Sequence, residues 1–418
     1  MRVAQINSVY GRGSTGNIVK NLHTHYLENG IDSHVFFGRG TQSSDINLIK
    51  FSNQIDVLYH GLQTRFFDRH GLASKTVTRN LVRALDELNL DIIHLHNIHG
   101  YYLNYPILFD YLKKHFKGQV VWTMHDCWAF TGHCAYYTYA QCNKWKSHCY
   151  DCPQIKKYPR SIFFDRSSSN FDEKRYSFLG MKNMSIVTPS NWLANEIKQS
   201  FLKSYDVTTI KNGIDKIMFK TRRSIFREKY DLENQFLILG IANVWDERKG
   251  MNYFLELLNI LSDDETMIIV GKTDIDLSIF HPKLIHIKRT DNLLELSDIY
   301  NASNVFLNMS LEDNFPTTIL EAQACNTPVI TFDVGGCSES IDNHYSYSLK
   351  SKSVDEVYKY IQLAKSKYKT QKVVIDQNRI SSIKSFSQEY MHFYEINVKS
   401  KGNLRLSGDA NKVSGLKL

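Results

Sequence analysis

The sequence predicts an α/β protein made of two doubly wound, Rossmann-like domains, each a parallel sheet covered by helices. Short β-branched runs alternate with helical patterns along most of the chain, which is typical of a parallel sheet with helices on both faces. At roughly 150 residues per domain, the 418 residues suit two or three domains. A hydrophobic content of 42% is enough to build their cores.

The first series of strands and helices begins at the N-terminus. "RVAQINS" predicts a strand, "GNIVKNLHTHYLENG" a helix and "DSHVFFG" a second strand. Three further strands are predicted at "DIIHLHN", "VVWTMHD" and "MSIVTPS". We assign this series to an N-terminal domain over residues 1–205, with a cysteine-rich insertion at about 127–160.

The second series begins near "SYDVTTIKNGID" and includes the strands "QFLILGIAN", "TMIIVG", "VFLNMS" and "TPVITF". It predicts a C-terminal Rossmann-like domain over residues 206–382. Aromatic residues then recur at helical spacing, and we expect a last helix at 383–400 that packs back on the N-terminal domain. Residues 401–418 are rich in Gly, Ser, Asn and Lys, so we expect a flexible tail.

Charge and hydropathy exclude several classes of protein. No apolar run approaches the ~20 residues that a membrane span needs, and the first residues lack the zones of a signal peptide, so we expect a cytoplasmic protein. The net charge of +8 suits phosphate-bearing ligands or an anionic membrane surface, and equally a plain solvated surface. The usual nucleic-acid-binding motifs are missing, so we expect no nucleic-acid partner.

The first turn between strand and helix is rich in glycine. It reads "GRGSTG", with Gly11, Gly13 and Gly16 in a pattern that lets backbone approach a diphosphate at a helix N-terminus. A dinucleotide site also needs an acidic residue at the end of the second strand, and that strand ends at Arg39 instead. Arg39 would suit NADP, so an NADP-dependent oxidoreductase is the alternative hypothesis.

The most specific pattern in the chain is "SLEDNFPTTILEAQACNTPVITFDVGG". We expect Asn314 to cap a helix that carries Pro316 in its first turn, and Asn326 to end it in the left-handed conformation. Asp313 then precedes the helix, and Glu321 lies about two turns along it. At this separation the two carboxylates suit different parts of one long ligand rather than a close acid–base pair.

At these residues the chain resembles the retaining glycosyltransferases of family 4, whose hallmark is an acid-x7-acid segment. The resemblance implies the GT-B fold, in which two Rossmann-like domains face each other across a cleft. It also implies metal-independent transfer of a sugar from a UDP- or GDP-type nucleotide sugar, with retention of configuration. Glu321 would hold the ribose, and Asp313, which replaces the family's usual Glu, would orient the donor sugar. The segment adds four donor-binding residues: Asn314, Phe315, Pro316 and Thr317.

A second segment, "NVWDERKGMNYFLELL", resembles the family's basic loop. The resemblance matches Lys249 to the lysine that contacts the donor diphosphate. Val244 stands where the family commonly has an arginine, so we expect Arg248 to replace that arginine. A departing diphosphate needs fixed positive charge where no metal supplies it. Two glycine loops complete the predicted donor site: Gly13 with Gly16, and Gly335 with Gly336.

Histidines follow two of the predicted strands in the N-terminal domain. His125 ends a strand in "TMHD" and matches a family histidine that faces the donor sugar, although a satisfied core histidine is the alternative interpretation. We therefore group His125 with Lys249, Asp313 and Glu321 as catalytic residues. His99 and Asp126 are expected to line the acceptor side of the site.

Four cysteines lie close together in the insertion: Cys134, Cys142, Cys149 and Cys152. In a cytoplasmic protein such a cluster indicates metal binding more often than disulfides, although only one pair has the tight C-x2-C spacing. A possible structural zinc and free thiols both stay open.

The family resemblance implies a role in the biosynthesis of a bacterial surface polysaccharide, with a saccharide or lipid-linked saccharide as acceptor. A non-catalytic sugar-nucleotide-binding protein is a further alternative. The stretch "YHGLQTRFFDRHGLASKTVTRNLVRAL" interleaves arginines with aromatic residues. It predicts either an amphipathic face for peripheral contact with an anionic inner membrane surface or an ordinary helical hairpin.

Overall fold

The structure is a computed structural model that describes residues 1–277, 282–370 and 373–399. It contains two compact units. The first comprises Met1–Lys211 and residues 384–399, and the second comprises the described residues of Asn212–Ile383. The boundary that we place after residue 205 lies a few residues before Lys211. The predicted tail at 401–418 is outside the described residues.

The first unit is built on a parallel sheet of seven strands. These are β1 (Arg2–Val9), β2 (Asp32–Arg39), β3 (Leu48–Lys50), β4 (Ile92–Leu95), β5 (Gln119–Thr123), β6 (Met184–Thr188) and β7 (Val207–Thr209). Their spatial order is β3-β2-β1-β4-β5-β6-β7, so the order reverses at β1. In this register Val3 lies opposite Ser33 of β2 and Ile92 of β4. The strands β4 to β6 are buried throughout, which explains why they read as continuous apolar runs.

Helices cover both faces of this sheet. They are α1 (Gly13–Glu28), α2 (Gln54–Phe67), α3 (Lys75–Glu87), α4 (Tyr105–Lys114), α5 (Ser167–Phe178) and α6 (Asn191–Gln199). Successive residues of β4 belong to different core clusters, because side chains of a strand alternate between the two faces. Ile92 belongs to the same core cluster as Ile18 of α1, whereas Ile93 belongs to the cluster that contains Leu81 of α3 and Leu108 of α4.

Polar side chains fix where several of these helices begin. Asn53 and Asp56 form a reciprocal capping box at the start of α2. The side chain of Asn104 accepts a hydrogen bond of 3.1 Å from the backbone of Ile107, and Ser190 caps α6 in the same way.

The cysteine-rich insertion has little regular structure. Its helical elements are two short 3₁₀ turns, Trp128–Phe130 and Lys144–Lys146. Trp145 is buried against the rings of Phe130 and Tyr137, at centroid distances of 5.1 and 4.8 Å. Aromatic packing therefore holds this segment on the first unit.

The second unit contains a parallel sheet of six strands. These are β8 (Phe236–Val244), β9 (Glu265–Lys272), β10 (Leu284–Ile287), β11 (Val305–Asn308), β12 (Val329–Phe332) and β13 (Tyr347–Leu349). The helices of this unit are α7 (Phe226–Lys229), α8 (Met251–Leu258), α9 (Leu293–Ala302), α10 (Thr317–Ala324) and α11 (Val354–Thr370). The strand order is β10-β9-β8-β11-β12-β13, so it reverses at β8. Ligands of such sheets bind beyond the carboxyl ends of the strands at this reversal.

The last helix, α12 (Ile383–Lys399), belongs almost entirely to the first unit. Phe386, Tyr390 and Tyr394 are buried in the same core cluster as α1. The Tyr394 hydroxyl lies 2.6 Å from Nδ1 of His94 on β4. Packing and a buried hydrogen bond thus anchor the end of the described chain to the first sheet.

Candidate functional site

The loop after β8 carries the basic residues that the sequence singles out. The carboxylate of Asp246 accepts a 2.9 Å hydrogen bond from the backbone of Lys249, which closes a short turn. Gly250 follows with φ of +79°, and a Cβ at this position would lie 2.0 Å from the carbonyl oxygen of Met309. Only glycine lets the turn approach the end of β11 so closely.

Lys249 forms an ion pair with Asp313. Its Nζ lies 2.5 Å from Oδ2 of Asp313, and the two side chains are 23% and 13% exposed. Burial alone would raise the pKa of Asp313, but the charges of Lys249 and Arg248 hold that pKa below its ordinary value. The Arg248 guanidinium also donates to the carbonyl oxygen of Glu312 at 3.1 Å. Two cations and one carboxylate therefore meet where β8 and β11 end.

The helix that carries Glu321 begins later than we predict. Helix α10 starts at Thr317 with Pro316 as its N-cap, and no side chain caps it. The expectation that Asn314 is the cap is therefore wrong, because the backbone is still extended at Pro316. Asn326 does adopt the left-handed conformation beyond the helix end, with φ of 59°, as the sequence predicts.

Glu321 lies on α10 with its carboxyl group against Tyr300 of α9. The Tyr300 hydroxyl donates to Oε2 of Glu321 at 3.1 Å. Burial raises the pKa of Glu321 to about 7, and hydrogen bonds from Tyr300 and Thr317 offset part of that rise. Glu321 is thus a carboxyl group that titrates near neutral pH.

The residues between Asp313 and α10 form a tight turn. The backbone amide of Asn314 donates to Oδ1 of Asp313 at 3.0 Å, and Asn314 is itself buried. Phe315 is also buried, and its carbonyl oxygen accepts a 3.1 Å hydrogen bond from Asn212. These contacts fix the direction of the Asp313 carboxylate.

The predicted Gly335–Gly336 loop follows the next strand, β12. Gly335 has φ of 56°, in the left-handed region. The adjacent Cys337 is buried, and the side chain of Asn308, at the end of β11, donates to its Sγ at 3.4 Å. This loop therefore lies beside the end of β11, at the edge of the sheet that also carries the Lys249–Asp313 pair.

Taken together, the second unit gathers Arg248, Lys249 and Asp313 beyond the carboxyl ends of β8 and β11, the Gly335–Gly336 loop follows β12, and Glu321 lies on α10, eight residues after Asp313. Fixed cations and backbone amides there can stabilise a diphosphate. A carboxylate on the neighbouring helix can accept hydrogen bonds from hydroxyl groups.

The other predicted donor-binding glycines, Gly13 and Gly16, belong to the first unit. Gly11 and Gly13 both have φ of 63°, and the amide of Gly11 donates to the carbonyl of Gly16 at 2.9 Å. A Cβ at Gly16 would lie 3.1 Å from the side chain of Val9. The glycines therefore make a tight turn between β1 and α1.

The acceptor-side residues His99 and Asp126 are in contact. Nε2 of His99 lies 2.9 Å from Oδ2 of Asp126, and its Nδ1 lies 3.0 Å from the hydroxyl of Tyr158. His125 lies one residue before Asp126, and its Nε2 is 3.2 Å from Nδ1 of His96. Burial lowers the pKa of His125 to about 4, so this imidazole is neutral near pH 7.

The sequence predicts Arg39, the last residue of β2, only as a contact for NADP and does not identify it as part of this group. Its Nε is buried and has no hydrogen-bond partner among the described residues. A Cβ at Gly100 would lie 3.7 Å from the guanidinium of Arg39, which places Arg39 beside the loop that carries His99. The sequence also does not identify Tyr300 and Tyr158 as site residues. Each is distant in sequence from the residue that it contacts, which is Glu321 for Tyr300 and His99 for Tyr158.

The four clustered cysteines gather around one small cavity. Cys134 and Cys152 are hydrogen-bonded to each other, whereas Cys149 accepts a hydrogen bond from the amide of Gly132 at 3.2 Å. Within residues 1–277, 282–370 and 373–399, no group of three or more His, Cys, Asp and Glu side chains could hold a metal ion. The structure thus gives no support to the possible structural zinc at Cys134, Cys142, Cys149 and Cys152, which the sequence leaves open beside free thiols.

Two families match the chain, one on each unit. Residues 15–216 match Glycosyltransferase Family 4, and residues 235–363 match Glycosyl transferases group 1. Among the described helices, none has the length and apolar character needed to cross a membrane.

Individual relatives support the same assignment. A protein of Escherichia coli K12, "Putative colanic acid biosynthesis glycosyl transferase WcaC", is 24% identical over 386 residues, which are 87% of this chain and 90% of that protein. A Campylobacter jejuni protein named "N,N'-diacetylbacillosaminyl-diphospho-undecaprenol alpha-1,3-N-acetylgalactosaminyltransferase" is 27% identical over 30% of this chain and 34% of its own length.

Solved structures agree on the fold. Anabaena HepE in complex with UDP superposes with a TM-score of 0.61 over 96% of this chain and 98% of its own, at 13% identity. At that identity the likeness shows the fold alone, which is GT-B. With both of its halves matched by glycosyltransferase families, the chain belongs to the family 4 glycosyltransferases.

Proposed function

We propose that this glycosyltransferase transfers a sugar, with retention, from a UDP- or GDP-type nucleotide sugar to a saccharide or lipid-linked saccharide during synthesis of a bacterial surface polysaccharide. The observation that carries the proposal is the grouping of Lys249, Arg248 and Asp313 beyond the carboxyl ends of β8 and β11, with the buried carboxyl group of Glu321 on the helix that follows. The names of the Escherichia coli and Campylobacter jejuni relatives support the pathway and the lipid-linked acceptor. The UDP bound by HepE supports the donor class.

Each donor-site residue has a distinct role in this proposal. Lys249 and Arg248 neutralise the diphosphate as the bond to the sugar breaks, which lowers the free energy of the transition state without a catalytic metal. Glu321 accepts hydrogen bonds from the ribose hydroxyls. Asp313 orients the donor sugar, and the backbone amides of the Gly335–Gly336 loop contact the donor phosphates. No side chain acts as a covalent nucleophile.

The His99–Asp126 pair binds the acceptor in this proposal. Asp126 orients the imidazole through the 2.9 Å contact, so His99 presents a defined ring to an acceptor hydroxyl. His125, which is neutral, donates a hydrogen bond to a sugar hydroxyl. We place the reaction in the cytoplasm at the inner face of the plasma membrane, where lipid-linked acceptors are reached.

A thermal-shift panel tests the donor assignment. The purified chain is heated with UDP-, GDP-, ADP- and TDP-sugars, their free diphosphates and NADPH, without added metal. We expect one nucleotide class to raise the midpoint of unfolding, because a ligand that binds only the folded state stabilises it. Stabilisation by NADPH alone would instead support the oxidoreductase hypothesis. A nucleotide sugar that stabilises the fold, but whose sugar is not transferred to any acceptor, would support a non-catalytic binding protein.

His99→Asn provides a prediction for the acceptor side. We expect kcat/KM for the acceptor to fall about 10- to 100-fold, because the acceptor loses a hydrogen bond worth about 1–3 kcal/mol, with donor-induced thermal stabilisation unchanged. Initial transfer rates at saturating donor measure the effect. Asp126→Asn should cause a similar loss, and the double variant should lose little more, because the two residues act as a unit. Equal loss of donor binding would show that His99 only supports the fold.

A further inference from the structure

Helix α2 has its apolar side chains on the outside. The residues that it buries are His60 and Thr64, both polar. Ile55, Leu58, Tyr59 and Leu62 are exposed, with Ile55 at 78% and Leu58 at 65%. These four side chains follow the spacing of a single helix face. A helix of a folded domain normally turns that face inward, so the exposed face of α2 points to a partner.

The loop at 162–164 extends this face. Ile162, Phe163 and Phe164 are all exposed, and Phe163 is 69% exposed. Phe66 stacks on Phe163 at 5.7 Å, and Phe67 stacks on Phe164 at 6.0 Å, both nearly parallel. We call the combined surface the apolar face; it consists of Ile55, Leu58, Tyr59, Leu62, Phe67, Ile162, Phe163 and Phe164.

A strongly basic pocket begins where the apolar face ends. Its volume is about 340 Å³, and its charged lining residues are Arg69, Lys75, Arg79, Arg166 and the single acid Glu173. Arg69 follows Phe67 by two residues, and Arg166 follows Phe164 by two, so both segments of the apolar face lead into it. In the part of the chain that the structure describes, none of these four cations forms an ion pair with a carboxylate.

We propose that the apolar face and this basic pocket together form a docking site for an anionic lipid bilayer. The aliphatic and aromatic side chains enter the interfacial layer of the membrane, and the pocket binds the phosphate of an acidic lipid headgroup. Opposite charge selects this occupant, because a second copy of the chain would bring one basic pocket against another. A nucleic acid would satisfy the four cations and leave the apolar side chains in water.

The docking site adjoins the acceptor-side group. Tyr158, whose hydroxyl is 3.0 Å from Nδ1 of His99, lies in the same loop as Phe163 and Phe164. His70, which contacts His99 at a ring distance of 5.9 Å, directly follows Arg69. This step rests on the proposed function: a membrane bound at the apolar face would hold a lipid-linked acceptor close to His99.

Vesicle co-sedimentation of the full chain tests the proposal. One set of vesicles contains phosphatidylcholine alone, and the other contains phosphatidylcholine mixed with phosphatidylglycerol. We expect binding to the anionic vesicles that weakens with added salt, because exposed charges are screened. In Leu58→Ser/Leu62→Ser/Phe163→Ser and in Arg69→Gln/Arg79→Gln the partition coefficient should fall at least about tenfold.

Matched controls separate docking from folding. Ile217→Ser/Ile225→Ser removes two exposed aliphatic side chains of the second unit and should bind vesicles like the wild type. All variants should keep the donor-induced thermal shift and the transfer rate to a water-soluble acceptor. Equal binding to both vesicle types, or a dimer that the Leu58→Ser variant abolishes, would overturn the proposal. A wild-type chain that shows the donor shift but does not bind anionic vesicles refutes docking alone, whereas a wild-type chain without a donor shift refutes the proposed function.

Discussion

Replacing Lys249 with methionine is expected to lower kcat by about 100- to 1000-fold, the range found when one preorganised stabiliser of developing charge is removed. The Nζ of Lys249 is fixed by the turn that Asp246 and Gly250 make and by its ion pair with Asp313. A cation held in this way needs no reorganisation when charge develops on the departing diphosphate. Methionine keeps most of the side-chain volume and removes the charge together with the N–H donors.

The same substitution also leaves Asp313 without its main partner. Because burial raises the pKa of Asp313 once the cation is gone, Lys249→Met should lower the midpoint of thermal unfolding. Adding Asp313→Asn removes the unpaired charge and should restore much of the thermal stability without restoring kcat. Steady-state kinetics and calorimetry on the single and double variants measure both effects. If kcat recovers together with stability, the lysine is structural and its assigned role is wrong.

The fold was accessible from the sequence because its signals are local. The buried strands β4 to β6 read as apolar runs and the helices between strands keep their own periodicity, so both sheets could be predicted. The left-handed conformation of Asn326 was also predictable, because asparagine is one of the few residue types favoured at the left-handed position after a helix. The start of α10 was not, because Asn314 and Pro316 both suit a helix start and the backbone conformation decides between them.

The site was predictable only in part, for a physical reason. Lys249 and Asp313 lie in the segments just after β8 and β11, where a parallel sheet gathers its functional residues, and Glu321 lies on the helix that follows β11. The hydrogen-bond partners of the site residues come from segments distant in sequence. The Tyr300 hydroxyl donates to Glu321, and in the first unit the Tyr158 hydroxyl contacts His99. The sequence of α2 likewise shows a helical apolar pattern, but whether that face turns inward or outward depends on the packing of the unit.

Donor affinity should depend on pH through Glu321. Its pKa of about 7 means that the carboxyl group is mostly protonated at pH 6 and mostly ionised at pH 8. The ionised form accepts hydrogen bonds from both ribose hydroxyls, so the donor should bind more tightly as pH rises, by about tenfold between pH 6 and 8. Calorimetric titration with a sugar nucleotide measures this. The intact sugar nucleotide is the right probe, because a free diphosphate has a phosphate ionisation of its own near this range.

Two variants show whether Glu321 is the titrating group. Glu321→Gln keeps the shape of the side chain, and should bind the donor about 10- to 100-fold more weakly at pH 8 with no pH dependence. Tyr300→Phe removes the hydrogen bond that lowers the pKa of Glu321, so the midpoint of the affinity profile should move to higher pH. Because Tyr300 contacts the carboxylate and has no assigned contact with the nucleotide, a shifted midpoint with the same limiting affinity would locate the titration at Glu321. An unchanged profile in both variants would mean that another group binds the ribose.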